Sequence, residues 1–193
     1  MRRLGTTASL LVTLAAIAVG SSAAFGGLSG KPIEDYRYDP ATHCTKKVPS
    51  GMKELEDWLQ RNTSGETWGI TRCEKLSEDS YSLHSEGRAI DWHMDSRIGR
   101  KKHEAMHLIR KVLLGTDRQG NDDALARRMG VQGIIYDCKA WWSSPGGLGK
   151  YSYCYKENGK RKKHLDPTAA HMDHIHVELN WPGARERTSF WRK

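Results

Sequence analysis

Asp173-His174-Ile175-His176-Val177-Glu178-Leu179 is the stretch whose reading decides the fold. Ile175, Val177 and Leu179 alternate with His174, His176 and Glu178. Period two is the signature of a strand, with the apolar set packed on one side and both histidines on the other. A strand whose polar face simply meets solvent has the same alternation. A second segment, Ser82-Leu83-His84-Ser85-Glu86-Gly87-Arg88-Ala89-Ile90-Asp91-Trp92, tips the balance. It offers His84 and Asp91 with Gly87 and the small Ala89 between them. Glycine allows a tight turn or a close backbone approach, so His84 and Asp91 can converge on a point that His176 also reaches. Three protein ligands and an open position make a catalytic zinc site, whereas a structural site is usually closed by four.

Ser82, His84, Gly87, Ala89 and Asp91 fill every defined position of Ser-x-His-x-x-Gly-x-Ala-x-Asp, and Asp-His-x-His follows at 173–176. The pair of motifs resembles the D-Ala-D-Ala metallopeptidase family. That family includes zinc D,D-carboxypeptidases, vancomycin-resistance dipeptidases and phage endolysins. It is grouped with lysostaphin-type endopeptidases and the hedgehog signalling domain. The resemblance spans roughly residues 50–180, anchored at these two points. It implies a hedgehog/D,D-peptidase-like fold and a zinc ion on His84, Asp91 and His176. It also implies an upstream arginine for the substrate oxyanion, for which Arg72 is the candidate. The family's general base falls on Asp173, while other members place a catalytic histidine where His174 stands. Period two favours His174 on the face of His176, and Asp173 remains the alternative base. Ser82 and Glu86 are candidates to support the ligands from behind.

The chain starts with Met1-Arg2-Arg3, an apolar run from Leu10 to Val19 and small residues to Ala24, which reads as a signal peptide over residues 1–24. Its removal takes away Arg2 and Arg3 and no acid, so the net charge falls from +8 to +6. Export suits the four cysteines, Cys44, Cys73, Cys138 and Cys154, none in a Cys-x-x-Cys pair. Three pairings are possible. Cys44–Cys73 with Cys138–Cys154 is favoured, because the latter two flank a turn-rich segment. A basic exported chain suits an anionic partner such as a bacterial cell wall, and no nucleic-acid module is recognisable.

Residues 25–49 lack a period and read as a leader to a domain at 50–193. Ser50 is the expected N-cap of a helix to Arg61, with Met52, Leu55, Trp58 and Leu59 on one stripe. Strands are expected at Trp68–Cys73, Val131–Tyr136 and Tyr151–Tyr155. Helices are expected at Arg97–Leu114 and, capped by Asn121, up to Gly130. This order predicts an α+β fold, an antiparallel sheet with helices packed on one side.

His103-Glu104-Ala105-Met106-His107 is a literal zincin protease signature. At about 100° per residue, however, Ala105, Leu108, Ile109, Val112 and Leu113 form the apolar face. His103 and His107 then fall on the solvated side. The expected protein is a secreted, cell-wall-associated, monomeric zinc peptidase acting on peptidoglycan stem peptides. It needs no nucleic acid, and no membrane once the signal peptide is gone. The alternatives are a non-catalytic zinc domain for wall binding or signalling, and the zincin.

Overall fold

The computed structural model describes residues 32–192, so the expected signal peptide lies outside the described residues. The fold is α+β. Eight strands are β1 (Glu66–Gly69), β2 (Lys75–Ser77), β3 (Ser80–Tyr81), β4 (Ala89–His93), β5 (Val131–Tyr136), β6 (Lys139–Trp142), β7 (Gly149–Lys150) and β8 (His174–Leu179). The helices are α1 (Ser50–Asn62), α2 (Gly99–His107), α3 (Ala124–Met129) and α4 (Trp181–Ala184). Six strands form an antiparallel sheet in the order β1-β4-β8-β5-β6-β7, and β2 pairs with β3.

Alternation gives this sheet two unlike faces. Ile90 and Trp92 of β4, Ile134 and Tyr136 of β5, and Ile175, Val177 and Leu179 of β8 enter one core. Met52, Leu55, Trp58 and Leu59 of α1 and Leu125 and Met129 of α3 pack into the same core. The helices thus cover one face. The other carries Asp91, His93, His174, His176 and Glu178, aligned because Asp91 pairs with His176 and His93 with His174.

Several local expectations shift. Pro49, not Ser50, caps α1, its carbonyl accepting from the Met52 amide. Asn121 does not cap α3: it bonds Asp117, and the helix starts after Asp123 in a left-handed conformation. The helix expected at 97–114 starts at Gly99, and from Leu108 to Leu113 it widens into a π-helical stretch. Ala105, Leu108, Ile109 and Leu113 are buried, as the periodicity requires. Tyr151–Tyr155 is a 3-10 turn over Ser152–Cys154 rather than a strand. There the Tyr151 amide bonds the Cys138 carbonyl, and Cys138–Cys154 closes the β6–β7 hairpin.

The expected strand at Trp68–Cys73 lies upstream, at Glu66–Gly69. Residues 70–74 leave the sheet because their polar groups are taken elsewhere. The Ile70 carbonyl faces His84 Nδ1 at 2.7 Å, the Arg72 amide bonds the His84 carbonyl, and the Glu74 amide bonds Ser85 Oγ. Cys73 is joined to Cys44, the other favoured pairing.

Residues 32–49, before α1, form no regular element and reach partners far along the chain. Tyr36 donates to Asp123, the Asp39 amide to Gln132, and the Trp181 amide to Asp39. Among the described residues no helix is long and apolar enough to cross a membrane.

Candidate metal centre

The centre is assembled from two adjacent strands and the turn that feeds one of them. Leu83–Glu86 form a 3-10 turn, and Gly87 at φ +65° swings the chain into β4. A Cβ on Gly87 would lie 2.6 Å from the Lys47 carbonyl oxygen, so both the turn and the close approach require glycine. The turn delivers His84 over β4 beside Asp91, and β8 brings His176 opposite Asp91. His176 Nδ1 lies 2.9 Å from Asp91 Oδ1, and His84 Nε2 lies 3.1 Å from the same oxygen and 3.2 Å from His176 Nδ1. All three residues are buried.

The outer atoms of both rings have acceptors. His84 Nδ1 faces the Ile70 carbonyl at 2.7 Å, and His176 Nε2 faces Glu178 Oε1 at 3.1 Å. A neutral imidazole donates from one nitrogen and accepts at the other. Donation outward, to Ile70 and Glu178, would leave the lone pairs of His84 Nε2 and His176 Nδ1 for a cation that takes the place of the protons these rings otherwise share with Asp91. Three potential ligand atoms this close suit a cation held between them. Among the described residues, His84, Asp91 and His176 form the group of side chains placed to hold a metal ion, with one ligand atom each within 4.8 Å of the others.

Ionisation follows from the same contacts. Burial opposes the charge on Asp91, but hydrogen bonds from His174, His176 and His84 outweigh it and hold its carboxyl well below the usual range. Burial pushes His84 down towards the neutral form that a ligand needs. Burial also disfavours the His176 cation, yet the Asp91 and Glu178 carboxylates on its two nitrogens prevail and push it up to about 9.

Both candidate bases stand beside the centre. His174 Nε2 is 3.4 Å from Asp91 Oδ1, and its Nδ1 is 2.7 Å from Asp173 Oδ1. Asp173 precedes β8, and its second oxygen accepts from Thr168 Oγ1. Both carboxylate oxygens are therefore engaged, and Asp173 orients His174. Arg72 also reaches the centre: its Nη1 donates to Asp91 Oδ2 at 2.6 Å and its Nε to Glu74. Ser82 lines the cleft. Glu86 does not support a ligand, because its carboxylate turns away to Arg88, Thr42 and His43.

The sequence reading missed three contributors. Glu178 accepts from His176, and period two along β8 already placed the two on one face. Ser85 Oγ braces the backbone that carries Arg72 and Glu74. His171 lines the cleft, its ring 4.7 Å from that of His174, and its buried Nδ1 has no hydrogen-bond partner. Its position outside any periodic segment gave no cue. The cleft holds about 630 Å³ and is walled by Tyr38, Trp142, Tyr151 and Tyr153.

The zincin histidines lie elsewhere. His103 and His107 are exposed on α2, and Glu104 accepts from the Ser64 amide. His107→Ala is expected to leave metal content and stability unchanged within about 0.5 kcal/mol, by metal analysis and thermal melting. No family model, no curated protein and no solved structure matches the chain.

Proposed function

We propose that the protein is a secreted, cell-wall-associated zinc peptidase with a hedgehog/D,D-peptidase-like fold, hydrolysing peptide bonds of peptidoglycan stem peptides. The observation that carries this reading is the pair of imidazoles that converge on Asp91 Oδ1 with an acceptor behind each outer nitrogen, with His174 and Arg72 at the same carboxylate. Two imidazoles and one carboxylate suit zinc and leave room for substrate. A zinc ion there supplies a Lewis acid that polarises a peptide carbonyl and acidifies water.

The chain's own groups do the rest. Asp173 accepts from His174 Nδ1–H, so Nε2, which faces Asp91 at 3.4 Å, is the nitrogen that takes a proton from water and passes it to the leaving amine. The Arg72 guanidinium, half exposed at the cleft, stands ready to donate to the oxyanion. Glu178 and the Ile70 carbonyl fix the tautomers of the two ligand imidazoles. Two disulfides and the basic net charge support an extracellular setting against an anionic wall.

His174→Ala is the direct test. It is expected to retain zinc and to lose about 10²–10⁴-fold in turnover of purified peptidoglycan, with released peptides read by mass spectrometry. Bound zinc with no product from any wall preparation, in the unaltered protein, would leave a non-catalytic wall-binding or signalling domain.

A further inference from the structure

The site face of the sheet carries an exposed indole on each side of the centre. Trp68 of β1 is 51% exposed. It stacks on His93 with ring centroids 4.2 Å apart and lies 6.0 Å from the His174 ring. Trp142 of β6 is 41% exposed and meets Tyr38 edge-on at 6.3 Å. Both rings stand on the face that holds the ligands. Trp68 shows this by its contacts with His93 and His174. Trp142 shows it at Gly133, where an added Cβ would strike both the Trp142 ring and the Glu178 carboxylate. Strands β4, β8 and β5 lie between β1 and β6, so Asp91 and His176 sit between the two indoles.

The charges of the cleft point the same way. Arg72 is the one lysine or arginine among its described lining residues, and its guanidinium is already bonded to Asp91 and Glu74. Glu74, Asp166 and Glu178 line the cleft as well. A C-terminal carboxylate next to the reacting bond would meet these acids, while the one cation there, Arg72, is held by Asp91 and Glu74 and serves the oxyanion in the reading above. A neutral, continuing backbone meets no such repulsion.

Resting on the peptidase reading above, we infer that the centre cuts an internal bond of an extended chain lying across the strands between Trp68 and Trp142, and does not release a C-terminal residue. The indoles supply apolar contact on both sides of the reacting bond, where a carboxypeptidase needs such contact on one side and a cation on the other.

The test uses the zinc-loaded protein and two peptides: an N-acetylated stem peptide with a free C-terminal carboxylate, and the same peptide extended by amidated residues. The extended peptide is expected to be cut internally with kcat/KM at least about tenfold higher. Trp68→Ala and Trp142→Ala are each expected to raise KM for it about three- to tenfold, with zinc content unchanged. Release of the C-terminal residue from the free acid at an equal or higher rate overturns the inference and leaves the peptidase reading standing. Unchanged KM in both tryptophan variants also overturns it. No product from either peptide or from purified peptidoglycan overturns the peptidase reading itself, and this inference with it.

Discussion

Zinc is expected to remain with the unaltered chain through dialysis and to be lost from His84→Ala. The expected effect is large because, among the described residues, the centre offers three protein ligands and no fourth to compensate. A complete structural zinc site is worth about 10–16 kcal/mol near neutral pH. Removing one ligand of three therefore weakens binding by about 4 kcal/mol, or about a thousandfold. The loss is specific to the metal. His84 is buried, but Asp91 keeps hydrogen-bonding partners in His176, His174 and Arg72, so the variant still folds. Elemental analysis of the dialysed proteins, with circular dichroism for the fold, checks both halves of the prediction. Stoichiometric zinc in His84→Ala would refute the three-ligand centre, because the outward hydrogen bonds of His84 would then serve packing alone.

Alternation made β8 readable: three apolar residues pointed into the core, and the polar face named His174 and His176 before any coordinates. The same alternation runs through Ala89-Ile90-Asp91-Trp92-His93, yet no strand is expected there from the sequence, because Gly87 draws attention to the turn before it. Ile90 and Trp92 are fully buried, and their burial makes β4 a central strand. Residues 70–74 show the opposite case. Ile70 and the residues around it look strand-like, but their backbone partners belong to His84 and Ser85, which no local pattern can announce. In the sequence Asp173 is the alternative base to His174. Its contacts with His174 Nδ1 and Thr168, which no sequence pattern announces, place it to orient the histidine. The segment before α1 had no period because it forms no regular element. Its polar groups bond side chains and backbone more than eighty residues away, such as Asp123, Gln132 and Trp181.

Arg88→Met is expected to be the most destabilising single change in the turn-and-strand segment around Gly87. Arg88 and Glu86 flank Gly87, and both side chains are fully buried. Arg88 Nε donates to Glu86, Nη1 to the Leu179 carbonyl, and Nη2 to the carbonyls of Asp39 and Pro40. Its guanidinium lies 4.6 Å from the centre of the Trp181 ring. One cation thus ties the ligand turn to the end of β8 and to the strap whose Pro40 lines the cleft. Methionine fills most of the volume but leaves the Glu86 carboxylate buried with the Thr42 and His43 contacts alone. Breaking a buried pair on one side costs about 3–5 kcal/mol, which at this chain length lowers Tm by roughly 10 °C. Lysine in place of Arg88 recovers little, since it lacks the planar fork that reaches these four acceptors. The pH dependence identifies the cause. In the unaltered protein burial opposes ionisation of Glu86, but the Thr42 amide and Arg88 prevail and lower its pKa from 4.5. Its contribution to stability is therefore present above pH 4.5 and fades as the pH falls through its depressed folded value. In Arg88→Met the balance reverses: burial raises the carboxyl, and protonation relieves the strain. The stability gap between the two proteins should narrow as the pH drops through about 4.5, and Glu86→Gln added to Arg88→Met should restore part of the loss at pH 7. A gap that stays constant with pH, or a double variant no more stable than Arg88→Met, would show that lost packing and not the stranded carboxylate sets the cost.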